Sequence, residues 1–265
     1  MRLSRTGNSM RLGRGTARRS VGAGGAALCL LTLGLAPGTA AAAEPNADCT
    51  MTYASSSMEP ANIVVGVSAQ RTSTFKVVMN NTCTNPSFNV ALASTDVVVG
   101  ATLDPATVVQ GNGTVTFTGT ATWDPAQLDN ERYAGSWISF IDASSDDGPS
   151  VSRPGAEFQV QRASTLSIRR SAASVTRGSA VDLSGALRWA DWDLKAYRAH
   201  GGQRVRLEFR PTGGSYATVE TSRSMSTGAI LVTDTPTADG CYRLAYAGSA
   251  SSAPIQSAAS CVDVN

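Results

Sequence analysis

The stretch Arg204-Val205-Arg206-Leu207-Glu208-Phe209 alternates polar and apolar residues without a break. A period of two marks a strand with one face on a core and the other in water. The pattern recurs on both sides of it. Downstream it returns at 216–220, 229–232, 242–246 and 260–264; upstream it appears at 165–168 and 180–185. Seven short strands in roughly 100 residues predict an immunoglobulin-like β-sandwich over 163–265. Residues 44–162 predict a second, less regular one, with strands at 74–79, 88–92, 97–103, 114–119, 137–141 and 158–160. Turn signals such as Asn85-Pro86, Asp104-Pro105 and Asp124-Pro125 punctuate them. The expected fold is therefore all-β: two tandem immunoglobulin-like β-sandwich domains, 44–162 and 163–265, joined by a short linker near Arg162. One helical turn is expected at 124–131, because proline suits a first helical position.

The N-terminal 43 residues read as an address. Six arginines and no acid precede the apolar run Ala26-Ala27-Leu28-Cys29-Leu30-Leu31-Thr32-Leu33-Gly34-Leu35-Ala36, which leads into Thr39-Ala40-Ala41-Ala42-Ala43. This is the pattern of a secretory signal peptide, with cleavage expected after Ala43. The run is about half of the ~20 residues that a membrane helix needs, so stable membrane insertion of the mature form is not expected. Arg18-Arg19 leaves twin-arginine export open beside the general route, and Met10 is an alternative start. The chain's formal net charge is +2; without residues 1–43 it is −4, split into −7 for 44–162 and +3 for 163–265. No Lys/Arg-rich stripe stands out, which disfavours nucleic acid as a partner. Opposite signs predict some attraction between the halves.

Four cysteines remain after the signal: Cys49, Cys83, Cys241 and Cys261. An even number in an exported chain predicts disulfides. Three pairings are open, and proximity favours Cys49–Cys83 and Cys241–Cys261. Strand parity supports the second. Tyr242, Leu244 and Tyr246 share one face, leaving Cys241 with Arg243; Val262 and Val264 leave Cys261 with Asp263. Both thiols point to solvent from strands that can be neighbours.

Catalytic chemistry finds little to work with. His200 is the single histidine, set in the polar loop Arg198-Ala199-His200-Gly201-Gly202, and is expected to be exposed. With no nucleophile elbow and no Cys/His cluster, a triad, a zinc site and a thiol nucleophile are disfavoured. Asp142, Asp146 and Asp147 suggest calcium, which takes six to eight oxygens, although Asp and Gly also favour a plain solvated turn. Asp124, Asp129 and Glu131 form a second acidic group. Trp189, Trp192 and Tyr197 suggest a cell-wall glycan platform; the competing reading has Trp189 closing the core edge and Trp192 pinning the loop.

Several short stretches in order resemble one family. They are Val160-Gln161-Arg162-Ala163-Ser164-Thr165-Leu166, the Ala-x-Trp stretch within 187–193, Val205-Arg206-Leu207-Glu208-Phe209-Arg210, Tyr216-Ala217-Thr218-Val219, Ala247-Gly248-Ser249 and Val262-Asp263-Val264, with Ala134-Gly135-Ser136-Trp137 upstream. They are similar to a group of secreted actinobacterial proteins with two immunoglobulin-like modules, some described as calcium-binding. The resemblance implies no catalytic motif. It departs at Cys241 and Cys261, where aromatics are expected. The expectation is a secreted, non-enzymatic binding, adhesion or structural protein of the cell envelope or extracellular space. Its partner would be a protein or a cell-wall glycan. A calcium-binding module and a glycan-binding protein are the alternatives.

Overall fold

A computed structural model describes residues 49–94, 98–100, 107–111, 113–128, 131–146 and 148–265. The export signal, Val97 and residues 101–103 of the strand expected at 97–103, the Asp104-Pro105 turn, Asp129 and Asp147 lie outside the described residues. The segment Glu44–Asn265 forms one compact unit.

Among the described residues, the first half supplies nine strands: β1 (Met51–Glu59), β2 (Asn62–Val65), β3 (Arg71–Asn81), β4 (Ser87–Ser94), β5 (Val98–Gly100), β6 (Thr107–Gly111), β7 (Thr114–Trp123), β8 (Gly135–Ser144) and β9 (Val151–Arg162). They form two sheets, β1-β3-β7-β6 and β2-β9-β8-β4-β5. β2 runs parallel to β9, whereas the other pairs are antiparallel. This is the strand order of an immunoglobulin sandwich, in which the first strand divides between the two sheets. Alternation builds the core: Phe75, Val77 and Met79 of β3 and Val115, Phe117 and Ala121 of β7 face Trp137 and Ile141 of β8. The polar ends of the large rings are satisfied. Trp123 Nε1 donates to Ser73 Oγ (2.9 Å) and Trp137 Nε1 to the Tyr133 carbonyl (2.9 Å).

The second half supplies β10 (Ser164–Arg170), β11 (Ser174–Val175), β12 (Val181–Asp191), β13 (Ala196–Ala199), β14 (Arg204–Pro211), β15 (Ala217–Arg223), β16 (Ala229–Asp234), β17 (Gly240–Tyr246), β18 (Ile255–Gln256) and β19 (Ser260–Val264). One sheet is centred on β12. β10 lies along one side, while β16 and β13 pair with successive halves of the other. The second sheet runs β11-β19-β17-β14-β15, with β18 on β17. Leu183, Leu187, Val205, Leu207, Ile230, Tyr242, Leu244 and Val262 form its core. Tyr242, near the start of β17, donates to Asp234 Oδ2 (2.7 Å) at the end of β16. Burial and this contact raise its pKa well above the ordinary tyrosine range.

Both bridges form as parity and proximity indicated, Cys49–Cys83 and Cys241–Cys261. Cys241 sits directly opposite Cys261 in the β17–β19 ladder, half-buried against an exposed partner. The linker is a single residue, Ala163, between β9 and β10. From Asp124 the chain makes one turn: the Asp124 carbonyl accepts from Gln127 N (2.9 Å) and Leu128 N (3.2 Å), and its Oδ1 accepts from Ala126 N (2.9 Å). A 3-10 turn follows at Glu131–Tyr133.

Candidate functional site

The residues with unusual environments gather where the two sandwiches meet. The β12–β13 hairpin carries its tip, residues 192–195, into the first sandwich. Asp191 Oδ1 accepts from Leu194 N (2.8 Å), and Lys195 takes φ 52°, so the hairpin reverses tightly. The turn drives Trp192 into the core of the other half: the ring is 0% exposed and packs in the cluster that includes Val65, Leu128 and Trp137. Its Nε1 donates to the Gly66 carbonyl (3.2 Å), and its backbone N donates to Glu131 Oε1 (3.1 Å). Lys195 Nζ caps the same turn region through the Pro125 (2.5 Å) and Leu128 (2.8 Å) carbonyls. Main-chain bonds continue the seam. Ala190 N donates to the Ala163 carbonyl (2.8 Å), Arg162 N to Ser251 (3.0 Å), and Ala253 N to Arg162 (2.9 Å).

Beside the plug lies a column of rings. The Arg162 guanidinium lies 3.7 Å over Trp189, whose ring stacks on His200 at 4.3 Å and 14°. His200 in turn meets Tyr246 edge-on at 5.5 Å. Arg162 also pairs with Glu131. Burial lowers the Arg162 pKa to about 10 against the opposing pull of Asp191 and Asp193, so it stays charged at neutral pH. His200 is buried, which corrects the expectation of an exposed loop residue. Its Nε2 lies 3.2 Å from Tyr246 Oη and 3.4 Å from Ser252 Oγ. Burial, and secondarily the Arg162 charge, lower its pKa to about 4. Ser252 is 0% exposed, so this Ser–His pair is sealed inside the protein and acts as a structural contact.

The three aromatics read as a glycan platform do not form one. Trp192 is buried in the neighbouring sandwich and offers no ring face. Trp189 is half-buried between Arg162 and His200, and Tyr197 is half-buried against the first core. Of the loop acids, Asp147 lies outside the described residues. Asp142 accepts from Ser152 Oγ (2.6 Å), and Asp146 from Asn85 Nδ2 (3.0 Å). Among the described residues, the carboxylates that do converge are Glu131, Asp191 and Asp193, with ligand oxygens within 4.8 Å of one another. Of these, only Glu131 stood among the acids singled out in the sequence. Asp191 and Asp193 flank Trp192, and their meeting with Glu131 depends on where the hairpin lands.

No protein-family model matches the chain, and no curated protein matches it either. Similar solved structures are distant. The Yersinia pseudotuberculosis adhesin InvE aligns over 81% of this chain and 58% of its own, at 15% identity and TM-score 0.27. A tetra-tandem repeat from the extending region of a large adhesion protein aligns over 81% and 50%, at 14% identity and TM-score 0.30. A DUF4785 family protein from Legionella pneumophila aligns over 76% and 54%, at 12% identity and TM-score 0.40. The chain thus spans about half the length of these proteins, and no partner or ligand is carried over from them.

Proposed function

We propose that the protein is a secreted, non-enzymatic binding or structural protein of the cell envelope or extracellular space, as the resemblance to secreted actinobacterial two-module proteins implies. The observation that carries the reading is the seam. Trp192 of the second sandwich completes the core of the first, which locks two immunoglobulin-like units into a single body. A rigid body presents its outer sheet faces at fixed mutual angles, which suits a binding or spacing role. The chemistry-bearing residues His200, Ser252 and Arg162 are spent on holding that body together. The test is co-sedimentation of the purified protein with washed envelope fractions of the producing cell. Retention that saturates supports the reading; a protein that stays wholly in the supernatant sinks it.

One observation favours a second reading, calcium stabilisation of the seam. Glu131, Asp191 and Asp193 bring three carboxylates from both sandwiches within ligand range of one another. A cation there would draw Glu131 away from Arg162. Binding to the folded form must raise its stability, so thermal melts in calcium and in EDTA decide the matter. A higher midpoint with calcium, abolished in Asp193→Asn, is the expected signature. Superimposable curves remove it.

A further inference from the structure

The outer face of the sheet β11-β19-β17-β14-β15 concentrates arginine. We propose that this face binds a linear phosphate-bearing polymer of the envelope; the proposal rests on the envelope reading above for where such a polymer would be met. In β14, Val205 and Leu207 are buried in the core, so Arg204, Arg206, Glu208 and Arg210 point outward. The register sets Arg223 of β15 opposite Arg204, and Arg243 of β17 opposite Glu208. Five of the ten arginines in 163–265 therefore share one face. Against them stand Glu208 and, on the outlying β19, Asp263.

Four of these five arginines are held in place by neighbours. Glu208, 7% exposed, accepts from Arg206 Nε (3.2 Å) and Arg243 Nε (2.7 Å). Arg243 lies 3.9 Å over the Tyr216 ring, and Arg210 approaches the same ring at 4.9 Å. Arg223 is anchored through the Gly202 carbonyl (2.8 Å). Fixed guanidinium groups lose less freedom when a ligand arrives, and their planar forks match phosphate oxygens two at a time. One carboxylate shared between Arg206 and Arg243 leaves an uncompensated positive row, which an anion relieves.

The row selects an extended partner. Alternate residues of a strand advance about 7 Å, so Arg204, Arg206 and Arg210 mark out a line on a sheet surface. A line of separated cations suits a chain of phosphates better than a single ion. The acidic half of a second copy fits it less well. Its described acids Glu59, Asp124, Glu131, Asp142, Asp146 and Glu157 are scattered over different elements. Four of them already accept hydrogen bonds, from Gln70, the Trp192 backbone N, Ser152 and Asn85.

The experiment measures binding of the purified protein to immobilised long-chain polyphosphate as NaCl is raised. The variant Arg204→Gln/Arg210→Gln/Arg223→Gln leaves the Glu208 pairs intact and should keep the thermal midpoint. It should weaken binding about tenfold or more and lower the slope of log affinity against log salt by about 2. A charge-matched control on the other sheet, Arg169→Gln/Arg188→Gln/Arg198→Gln, should retain most of the affinity. Equal losses in the two variants mean attraction by net charge alone and overturn the proposal. So does a wild-type protein that ignores polyphosphate at low salt, or one that binds polyglutamate as tightly. Self-association at low salt that polyphosphate fails to disperse assigns the face to a second copy instead. The envelope reading fails separately. If the Arg204 variant sediments with envelopes like wild type, this face is excluded and that reading stands. If wild type binds polyphosphate through these arginines but ignores envelopes, the reverse holds.

Discussion

Trp192→Ala lowers the stability of the protein by about 3–5 kcal/mol, the range for removing a buried large aromatic side chain. The indole is 0% exposed, and the cavity it leaves opens between two sandwiches rather than within one. Its Nε1 bond to the Gly66 carbonyl goes with it. The consequence reaches beyond the midpoint. In the wild type the first core is completed by a residue of the second half, so the two halves should unfold together. In the variant that coupling is cut, and denaturant unfolding should separate into two transitions with smaller individual m-values. Trp192→Phe fills most of the space without the indole donor and should fall between the two. A single transition with an unchanged midpoint in Trp192→Ala would remove the seam as the source of rigidity.

The strands that build each core were legible because alternation is a local signal. β3, β7, β8, β14 and β17 each show it plainly, and the same parity put Cys241 and Cys261 on the solvent side. β1 was missed for the opposite reason. It lies at a sheet edge, and only Met51 and Met58 of its nine residues are buried, so polar Ser55, Ser56 and Ser57 hide the period. The seam was missed because its partners are distant in the chain. Trp192 could be read as a residue that packs, but nothing local says that the core it enters belongs to the other sandwich. His200 looks like a loop residue beside two glycines; the Trp189 ring and Tyr246 bury it. Bulk charge misled in a similar way. The halves carry −7 and +3, yet at the seam the acids Asp191 and Asp193 come from the basic half and face Arg162 of the acidic half. A net charge sums over a whole surface and does not say which residues meet.

The buried histidine makes the same seam sensitive to acid. His200 has its pKa lowered from 6.5 to about 4, first by burial and then by the nearby Arg162 charge. Between these values the unfolded chain binds a proton that the folded chain refuses. Stability must then fall as the pH drops from 6.5 toward about 4. The contribution is fully present above pH 6.5, is lost progressively through that window, and levels off once the folded form is protonated too. A shift of this size corresponds to about 3 kcal/mol. Carboxylates titrate near the lower end of the window, so the wild-type curve alone does not isolate the effect. The difference between wild type and His200→Gln does, because glutamine keeps a polar group near Tyr246 and Ser252 without a titrating proton. Denaturant midpoints measured across the window should show the wild type losing stability faster than the variant. Parallel curves would mean that the ring is protonated in the folded state, and that the stack from Arg162 through Trp189 tolerates a second cation. Arg162→Met separates the two causes. Without the guanidinium the window should narrow from its lower end, because the smaller of the two contributions that lower the His200 pKa is gone while burial remains.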